Sequence, residues 1–218
     1  MSDLLLNMSA TMSRSRANGP GVRAVIWVQG CTIGCLGCYS ASTHPHRVAS
    51  LVKPSDISEW LLSIPNIEGV TFSGGEPFEQ SAAVRETIKL VRMKSPTFTV
   101  FAFSGYSYLE LLSSTDRSVT ELLHNCDMLS TGPFVAQLRD KSLLWRGSSN
   151  QELHYLSNVY DSSMEEQWIL ESPTEEYSVQ HEGIQFTGFG GKSSKVLRMA
   201  TGLIGGQKDA KVLRKYRA

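Results

Sequence analysis

Apolar runs alternate along the chain with segments in which apolar residues recur at helical spacing. Residues 22–29 form a continuous apolar run after Gly19, Pro20 and Gly21, which predicts a strand buried on both faces. Further strands are predicted over residues 70–73, 98–103 and 128–130, and helices over residues 55–63, 82–93 and 109–123. This alternation predicts βα units around a parallel sheet.

A polar or glycine-rich cluster follows each of the first three predicted strands. Three cysteines follow the first strand, residues 74–76 the second and residues 104–106 the third. Parallel α/β folds bind ligands at the carboxyl ends of their strands. We therefore expect an α/β fold, an open partial (β/α) barrel, with its binding site along this edge.

The two ends of the chain show less regular patterns. Residues 1–18 are compatible with a short edge strand or a mobile arm. Residues 165–171 predict a helix, and residues 177–180 and 184–187 predict a β-hairpin. A glycine cluster (Gly188, Gly190, Gly191) and a basic tail (Lys208, Lys211, Arg214, Lys215, Arg217) follow. We expect a core over residues 1–156 and a C-terminal extension over residues 157–218, made of helix, hairpin and tail.

The composition of the chain argues against two kinds of binding partner, nucleic acid and membrane. The 218 residues contain 21 basic and 21 acidic side chains, so no field of one sign favours nucleic acid or an anionic membrane. No apolar run approaches the roughly twenty residues of a membrane span. The beginning of the chain also lacks the layout of a secretion signal. We expect a cytosolic protein that binds neither nucleic acid nor membrane.

Three cysteines lie within the segment CTIGCLGCY, at Cys31, Cys35 and Cys38. Thiolates at short spacing select zinc or iron–sulfur clusters, and a cubane cluster held by three cysteines keeps one iron open for another ligand. Gly34 and Gly37 allow the tight bends that aim successive sulfurs at one point. The spacing predicts an iron–sulfur loop with an open iron.

The cysteine spacing also bears on other interpretations. Zinc could be held by the three thiolates with His44 or His46 in a Cys3His set. Simple apolar packing of the three thiols fits poorly, since their spacing matches neither a helix face nor a strand face. Cys126 stands apart and is predicted to be a buried core thiol.

The turn after the second predicted strand has the composition of a ligand site. Gly74 and Gly75 have no side chains, so backbone groups there can approach a small zwitterionic ligand closely. Glu76 offers a carboxylate to an ammonium group. An ordinary strand-to-helix turn is the alternative, and the nearby cysteines favour the ligand site.

The cysteine segment and three others resemble a known family. CTIGCLGCY matches the CxxxCxxC-plus-aromatic motif of the radical S-adenosylmethionine (SAM) superfamily. NGPGVR (residues 18–23), SGGEP (73–77) and WRGSSNQELHYL (145–156) resemble the activating proteins of anaerobic ribonucleoside-triphosphate reductase. The resemblance covers residues 15–156, and residues 157–218 have no counterpart in the short activating proteins.

The resemblance implies roles for individual residues. The three cysteines would be catalytic and hold a 4Fe-4S cluster whose fourth iron SAM chelates. Tyr39 would lie near the adenine, and Ser104 near the ribose or carboxylate of SAM. Asn150 would contact the ligand or the partner. The residues implied to bind SAM are Gly37, Cys38, Tyr39, Ser73, Gly74, Gly75, Glu76, Ser104 and Asn150.

The implied reaction is reductive cleavage of SAM to methionine and a 5′-deoxyadenosyl radical, which takes a hydrogen atom from a glycine of a partner enzyme. The implied partners are a glycyl-radical enzyme and an electron donor such as flavodoxin or ferredoxin. Two alternatives stay open. One is a radical SAM enzyme that acts directly on a small molecule or peptide, and the other is a non-catalytic zinc or iron–sulfur module.

Overall fold

The computed structural model describes residues 4–173, 175–180 and 183–188. Within them, seven strands form one sheet and two form a separate hairpin. The strands are β1 (Leu6–Ser15), β2 (Arg23–Val28), β3 (Ser50–Val52), β4 (Gly69–Gly74), β5 (Thr99–Phe103), β6 (Met128–Thr131), β7 (Glu152–Tyr155), β8 (Glu175–Gln180) and β9 (Gly183–Gly188). The order in the large sheet is β3-β1-β2-β4-β5-β6-β7.

The centre of the large sheet is parallel, as the sequence predicts. Strands β2, β4, β5 and β6 pair in parallel, while β1, β3 and β7 pair antiparallel to their neighbours. Every residue of β2 is buried, which confirms that this strand is covered on both faces. The α/β class is confirmed.

Four helices cover one face of the sheet. They are α1 (Pro54–Ser63), α2 (Ser81–Arg92), α3 (Tyr108–Leu112) and α4 (Arg117–Asn125). Their apolar residues, such as Ile57, Ile88 and Leu122, form the main core with Ile26 and Phe72 of the sheet. None of the helices described within residues 4–173 has the length and apolar character needed to cross a bilayer.

The prediction of one helical region over residues 109–123 is wrong in the middle. Residues 113–116 separate two helices, because Asp116 caps the second one by accepting a hydrogen bond from the Ser118 backbone N–H. Ser107 and Glu110 form a capping box at the start of α3. Each cap satisfies backbone groups that a continuous helix would have paired internally.

The prediction for the beginning of the chain is right in part. Of the two alternatives, a short edge strand or a mobile arm, the structure has a strand, but β1 is long and lies inside the sheet, where it pairs with both β2 and β3. Its apolar residues alternate, so that Leu6, Met8, Ala10 and Met12 are buried. The short edge strands β3 and β7 were not predicted.

Aromatic side chains cover the opposite face of the sheet. Phe101 alternates with core residues Val100 and Ala102 and therefore points away from helices α1–α4. Its ring packs against Trp145, which in turn contacts Trp168. Trp168 lies in helix α5 (Glu165–Glu171), so the predicted C-terminal helix packs against this face.

The described part of the C-terminal extension lies at the amino ends of the parallel strands. Tyr160 donates a hydrogen bond to Thr99, the first residue of β5, at 3.0 Å. The hairpin reaches the segment before β2, where Asn18 Nδ2 donates to Thr187 Oγ1 at 2.8 Å. The predicted helix and hairpin are confirmed, whereas the predicted basic tail, Gly190 and Gly191 lie outside the described residues. The division into a core and an extension stays a prediction.

Candidate active site

Three turns meet at the carboxyl edge of the parallel strands. The cysteine loop follows β2, residues 74–76 follow or end β4, and residues 104–106 follow β5. The Glu76 N–H donates to the Gly30 carbonyl at 2.8 Å, and the Gly105 N–H donates to Glu76 Oε2 at 2.8 Å. The structure therefore brings the three predicted clusters together through direct hydrogen bonds.

Glycines shape the cysteine loop. Gly30, Gly34 and Gly37 have φ angles of 107°, 60° and 76°, a region that side chains disfavour. The loop is anchored where the Cys31 N–H donates to the His44 carbonyl at 3.0 Å, and it turns again where the Cys38 N–H donates to the Cys35 carbonyl at 3.3 Å.

The three loop thiols are half-buried and free. Burial raises the pKa of Cys31, against hydrogen bonds from the Gly34 and Ile33 backbone that lower it. Burial also raises the pKa of Cys38, and the two other thiolates raise it further, while the Ser40 backbone N–H lowers it. Negative charge on the neighbouring thiolates thus disfavours the Cys38 thiolate unless a positive centre offsets it.

This donor set fits an iron–sulfur cluster. Over residues 4–173, 175–180 and 183–188, no three His, Cys, Asp or Glu side chains surround a single metal-ion position. A cubane cluster attaches each cysteine to a different iron, so its thiolates need not converge on one ion. Backbone N–H groups that face the sulfurs are a feature by which proteins tune such clusters.

His46 does not join the thiols. Its Nε2 lies 3.3 Å from Thr32 Oγ1 and 3.7 Å from Glu79 Oε2. His44 contributes its backbone carbonyl to the loop, as an acceptor from Cys31. The Cys3His set that the sequence allows therefore gains no support from these contacts.

Gly74 and Gly75 allow two turns to approach closely. A Cβ built on Gly75 would lie 2.1 Å from the Gly30 carbonyl oxygen, and Gly74 has a φ of 92°. Neither position tolerates a side chain, because a Cβ on Gly74 would lie 2.7 Å from Trp27 of β2 and a Cβ on Gly75 would meet the Gly30 backbone. The close contacts with β2 and with Gly30 explain these glycines by themselves, and their contact with SAM stays a prediction.

Glu76 is almost fully buried, with 1% of its surface exposed. Its carboxylate accepts hydrogen bonds from the Ser104 hydroxyl and from the N–H groups of Phe78 and Gly105. Burial raises the pKa of Glu76 to about 7, although these hydrogen bonds lower it. Ser104 therefore orients Glu76, and the predicted pairing of Glu76 with an ammonium would use its remaining acceptor capacity.

Tyr39 packs beside the cysteine loop. Its ring contacts Phe134 edge-on at 5.5 Å, and the Arg139 guanidinium lies 4.8 Å from its centroid. Arg139 also donates to the Gly37 carbonyl at 3.3 Å. Residues 134–139, which the sequence analysis passed over, therefore hold the end of the loop where Tyr39 lies. The proximity of Tyr39 to adenine stays a prediction.

The SSNQ run, residues 148–151, directly follows Gly147, which lies against the Tyr39 and Phe134 rings. A Cβ on Gly147 would be 3.0 Å from both the Tyr39 and the Phe134 rings. Asn150 Nδ2 donates to the Pro133 carbonyl at 2.8 Å, and its buried Oδ1 has no partner within the described residues. Asn150 thus reaches the same edge as the cysteines with one acceptor atom unused.

Ser73 is half-buried near the end of β4, beside Trp27 in the sheet register.

Other residues of the WRGSSNQELHYL segment contact the extension. Glu165 at the start of α5 accepts a hydrogen bond from Tyr155 and lies 3.6 Å from Arg146. Trp145 is buried with a φ of 51° and packs on Trp168. These three segment residues therefore have partners within this chain.

Glu79 is a site residue that sequence reasoning missed, and its partner Tyr106 belongs to the predicted cluster of residues 104–106. Tyr106 donates to Glu79 Oε1 at 3.2 Å. Burial and the two nearby carboxylates raise the pKa of Tyr106 to about 12, so its hydroxyl remains protonated at neutral pH. Cys126 is buried and donates to the Leu122 carbonyl at 3.4 Å, as predicted for a core thiol.

Comparison with known proteins identifies the class to which this site belongs. The model of a 4Fe-4S single cluster domain matches residues 17–154, a stretch that includes all three loop cysteines. The chain belongs to this iron–sulfur family.

The curated relatives are more specific. The chain is 33% identical over 143 residues to the anaerobic ribonucleoside-triphosphate reductase-activating protein of Vibrio cholerae, which covers 63% of this chain and 90% of the relative. It is 33% identical over 147 residues to the protein of that name from Escherichia coli K12, and the match covers 64% of this chain and 92% of the relative. The protein of that name from Enterobacteria phage T4 is 32% identical over 140 residues, and the match covers 62% of this chain and 85% of the relative. The resemblance predicted from the motifs is confirmed.

Proposed function

We propose that this chain is a radical SAM enzyme that generates a glycyl radical on a partner enzyme, such as an anaerobic ribonucleotide reductase. The observation that supports this most strongly is that the 4Fe-4S family match contains the three cysteines, and that relatives covering most of their own length are named as reductase-activating proteins. When bound, the cluster and SAM supply an electron and a 5′-deoxyadenosyl radical, with methionine as the other product.

The residues of this chain would bind and orient these groups. Cys31, Cys35 and Cys38 would hold the cluster. Glu76, oriented by Ser104, would accept the methionyl ammonium of SAM. The other residues proposed to contact SAM are Gly37, Cys38, Tyr39, Ser73, Gly74, Gly75, Ser104 and Asn150.

The proposed fold follows from the same family. The four parallel strands, with β1 and β7 antiparallel at their flanks, would be the open partial barrel of radical SAM enzymes. Aromatic packing of Phe101, Trp145 and Trp168 on the inner face would exclude water from part of its interior. Exclusion of water and of stray hydrogen donors is what a carbon radical requires.

The place of the extension supports a protein substrate. Its described residues contact Asn18 and Thr99, at the amino ends of the strands, whereas the cysteines lie at the carboxyl ends. Leu36 projects from the cysteine loop with 87% of its surface exposed. A partner enzyme could therefore approach this edge without displacing the described part of the extension. The electron donor is proposed to be a flavodoxin or ferredoxin.

The experiment is anaerobic reconstitution followed by reaction with SAM and a reductant. We expect about four irons per chain and reductant-dependent formation of 5′-deoxyadenosine. Cys35→Ala should lose both, whereas the matched change Cys126→Ala, at a thiol distant from the site, should keep the cluster. Retention of a full cluster and of SAM cleavage by Cys35→Ala would contradict the proposed site.

A further inference from the structure

Glu79 connects four segments around the first cysteine, although it belongs to none of the motifs described above. Its Oε1 accepts hydrogen bonds from the Thr32 backbone N–H at 2.8 Å and from the Tyr106 hydroxyl at 3.2 Å. Its Oε2 lies 3.7 Å from His46 Nε2. Its own N–H donates to the Glu76 carbonyl at 3.1 Å, so the carboxylate is mounted on the turn that carries Glu76.

The Thr32 contact fixes the backbone directly after Cys31. The Cys31 N–H donates a hydrogen bond to the His44 carbonyl, and the N–H of the next residue, Thr32, donates to the Glu79 carboxylate. Hydrogen bonds to a carboxylate are about twice as strong as those between neutral groups. Removing this acceptor would leave the Thr32 N–H without its partner and the first bend of the loop less constrained.

The charge of Glu79 also lies close to the cysteine loop. The carboxylate has only 18% of its side chain exposed, so water screens it weakly. Its Oε1 lies 2.8 Å from the backbone nitrogen of Thr32, the residue directly after Cys31, so the charge lies beside the loop that would hold the cluster. Negative charge near a cluster opposes the addition of an electron and thereby lowers its reduction potential. A lower potential makes the reduced cluster a stronger reductant.

We propose that Glu79 is a positioning residue for the cluster, which fixes the first bend of the cysteine loop through Thr32 and lowers the reduction potential through its charge. This inference rests on the proposed function, since it presupposes that the three cysteines hold a cluster. Glu79 acts through its hydrogen bond with the Thr32 backbone and, by its charge, through space.

Two substitutions separate the two effects. Glu79→Gln keeps an oxygen that can accept from the Thr32 N–H but removes the charge, and Glu79→Ala removes both. Glu86→Gln is the matched control, because Glu86 lies on α2 and pairs with Lys89 at 3.4 Å, away from the loop. All proteins are reconstituted anaerobically at full length, and circular dichroism checks that each is folded.

The readouts are iron per chain, the rate of iron loss to a chelator, and the midpoint potential from an EPR-monitored redox titration. We expect Glu79→Gln to bind the normal amount of iron at a higher midpoint potential. Glu79→Ala should also lose iron at least fivefold faster than the unmodified chain, and Glu86→Gln should change neither quantity.

The electrostatic effect and the positioning effect of Glu79 would be contradicted by different results. A midpoint potential in Glu79→Gln equal to that of the unmodified chain would overturn the electrostatic effect. An unchanged rate of iron loss in Glu79→Ala would overturn the positioning effect. If Glu79→Ala fails to fold, Glu79→Asp replaces it, because the shorter side chain keeps the charge and withdraws from Thr32. Failure of the unmodified chain to bind iron would overturn the proposed function itself.

Discussion

The Ser104 hydroxyl donates a hydrogen bond to the buried carboxylate of Glu76 at 3.0 Å, and this contact joins the turn after β5 to the turn after β4. Two strands that are neighbours in the sheet thereby share one buried charge. Glu76 also accepts a hydrogen bond from the Gly105 N–H. A substitution at Ser104 or at Glu76 should therefore alter the structure of both turns.

Ser104→Ala should weaken SAM binding about tenfold, since a hydrogen bond to a charged group contributes roughly 1.5 kcal/mol. Ser104→Thr keeps the hydroxyl and should bind nearly as well as the unmodified chain. Equilibrium dialysis with reconstituted protein measures both. Ser113→Ala, at an exposed serine after α3, serves as the control, and equal affinity in Ser104→Ala would remove this contact from the site.

The pKa of Glu76 predicts a pH dependence of SAM binding. Burial raises this pKa to about 7, so the carboxylate is mostly protonated at pH 6 and mostly ionised at pH 7.5. Only the ionised form attracts an ammonium, and the affinity should therefore rise about eightfold over this interval. In Glu76→Gln the affinity should be low and independent of pH. A flat profile in the unmodified chain would show that Glu76 does not pair with the ligand.

Gly75→Ala should disrupt the cysteine loop. The added Cβ would lie 2.1 Å from the Gly30 backbone oxygen, which cannot move without displacing Cys31. We expect reconstituted Gly75→Ala to hold less than half of the normal iron. Gly105→Ala is the milder comparison, because its Cβ would meet the flexible end of Ile33. Similar iron contents in the two variants would contradict this packing argument.

Trp168→Ala should destabilise the protein through the extension. Its indole contacts Trp145 and Tyr160, with centroids 5.3 and 5.6 Å away. Removing this partly buried ring should lower the free energy of unfolding by about 2 kcal/mol and Tm by roughly 6 °C. Leu170→Ala, on the same helix at a residue 87% exposed, should change Tm little. Thermal unfolding followed by circular dichroism compares the two, and equal shifts would mean that α5 does not pack as described.

The parallel centre of the fold could be predicted because its strands are short, apolar and followed by glycines. The pattern of strand β1 was harder to recognise, since its Asn7 and Ala10 are of residue types that are depleted in strands. Its place between β3 and β2 depends on pairing across the sheet. The break between α3 and α4 depends on Asp116 acting as a cap, which the helical spacing of the leucines obscured.

Much of the candidate site could likewise be predicted, because the cysteines, SGGEP and Ser104 all follow parallel strands. Glu79 could not, since only the fold brings its carboxylate to Thr32, 47 positions earlier in the chain. Arg139 reaches Gly37 across 102 positions, and no local pattern marks such a contact. Sequence motifs reveal the site residues that this chain shares with a family. The residues that position them, such as Glu79 and Arg139, become apparent only from the packing of the folded chain.

The activity proposed for this chain is the generation of a glycyl radical on a protein partner. The most direct measurement is EPR spectroscopy of the reconstituted chain, incubated anaerobically with SAM, a reductant and a candidate glycyl-radical enzyme such as the anaerobic ribonucleotide reductase of the source organism. We expect the doublet of a glycyl radical, absent when Cys35→Ala replaces the unmodified chain. Accumulation of 5′-deoxyadenosine without that doublet, for every glycyl-radical enzyme of the organism, would contradict the claim and favour a small molecule or peptide as the substrate.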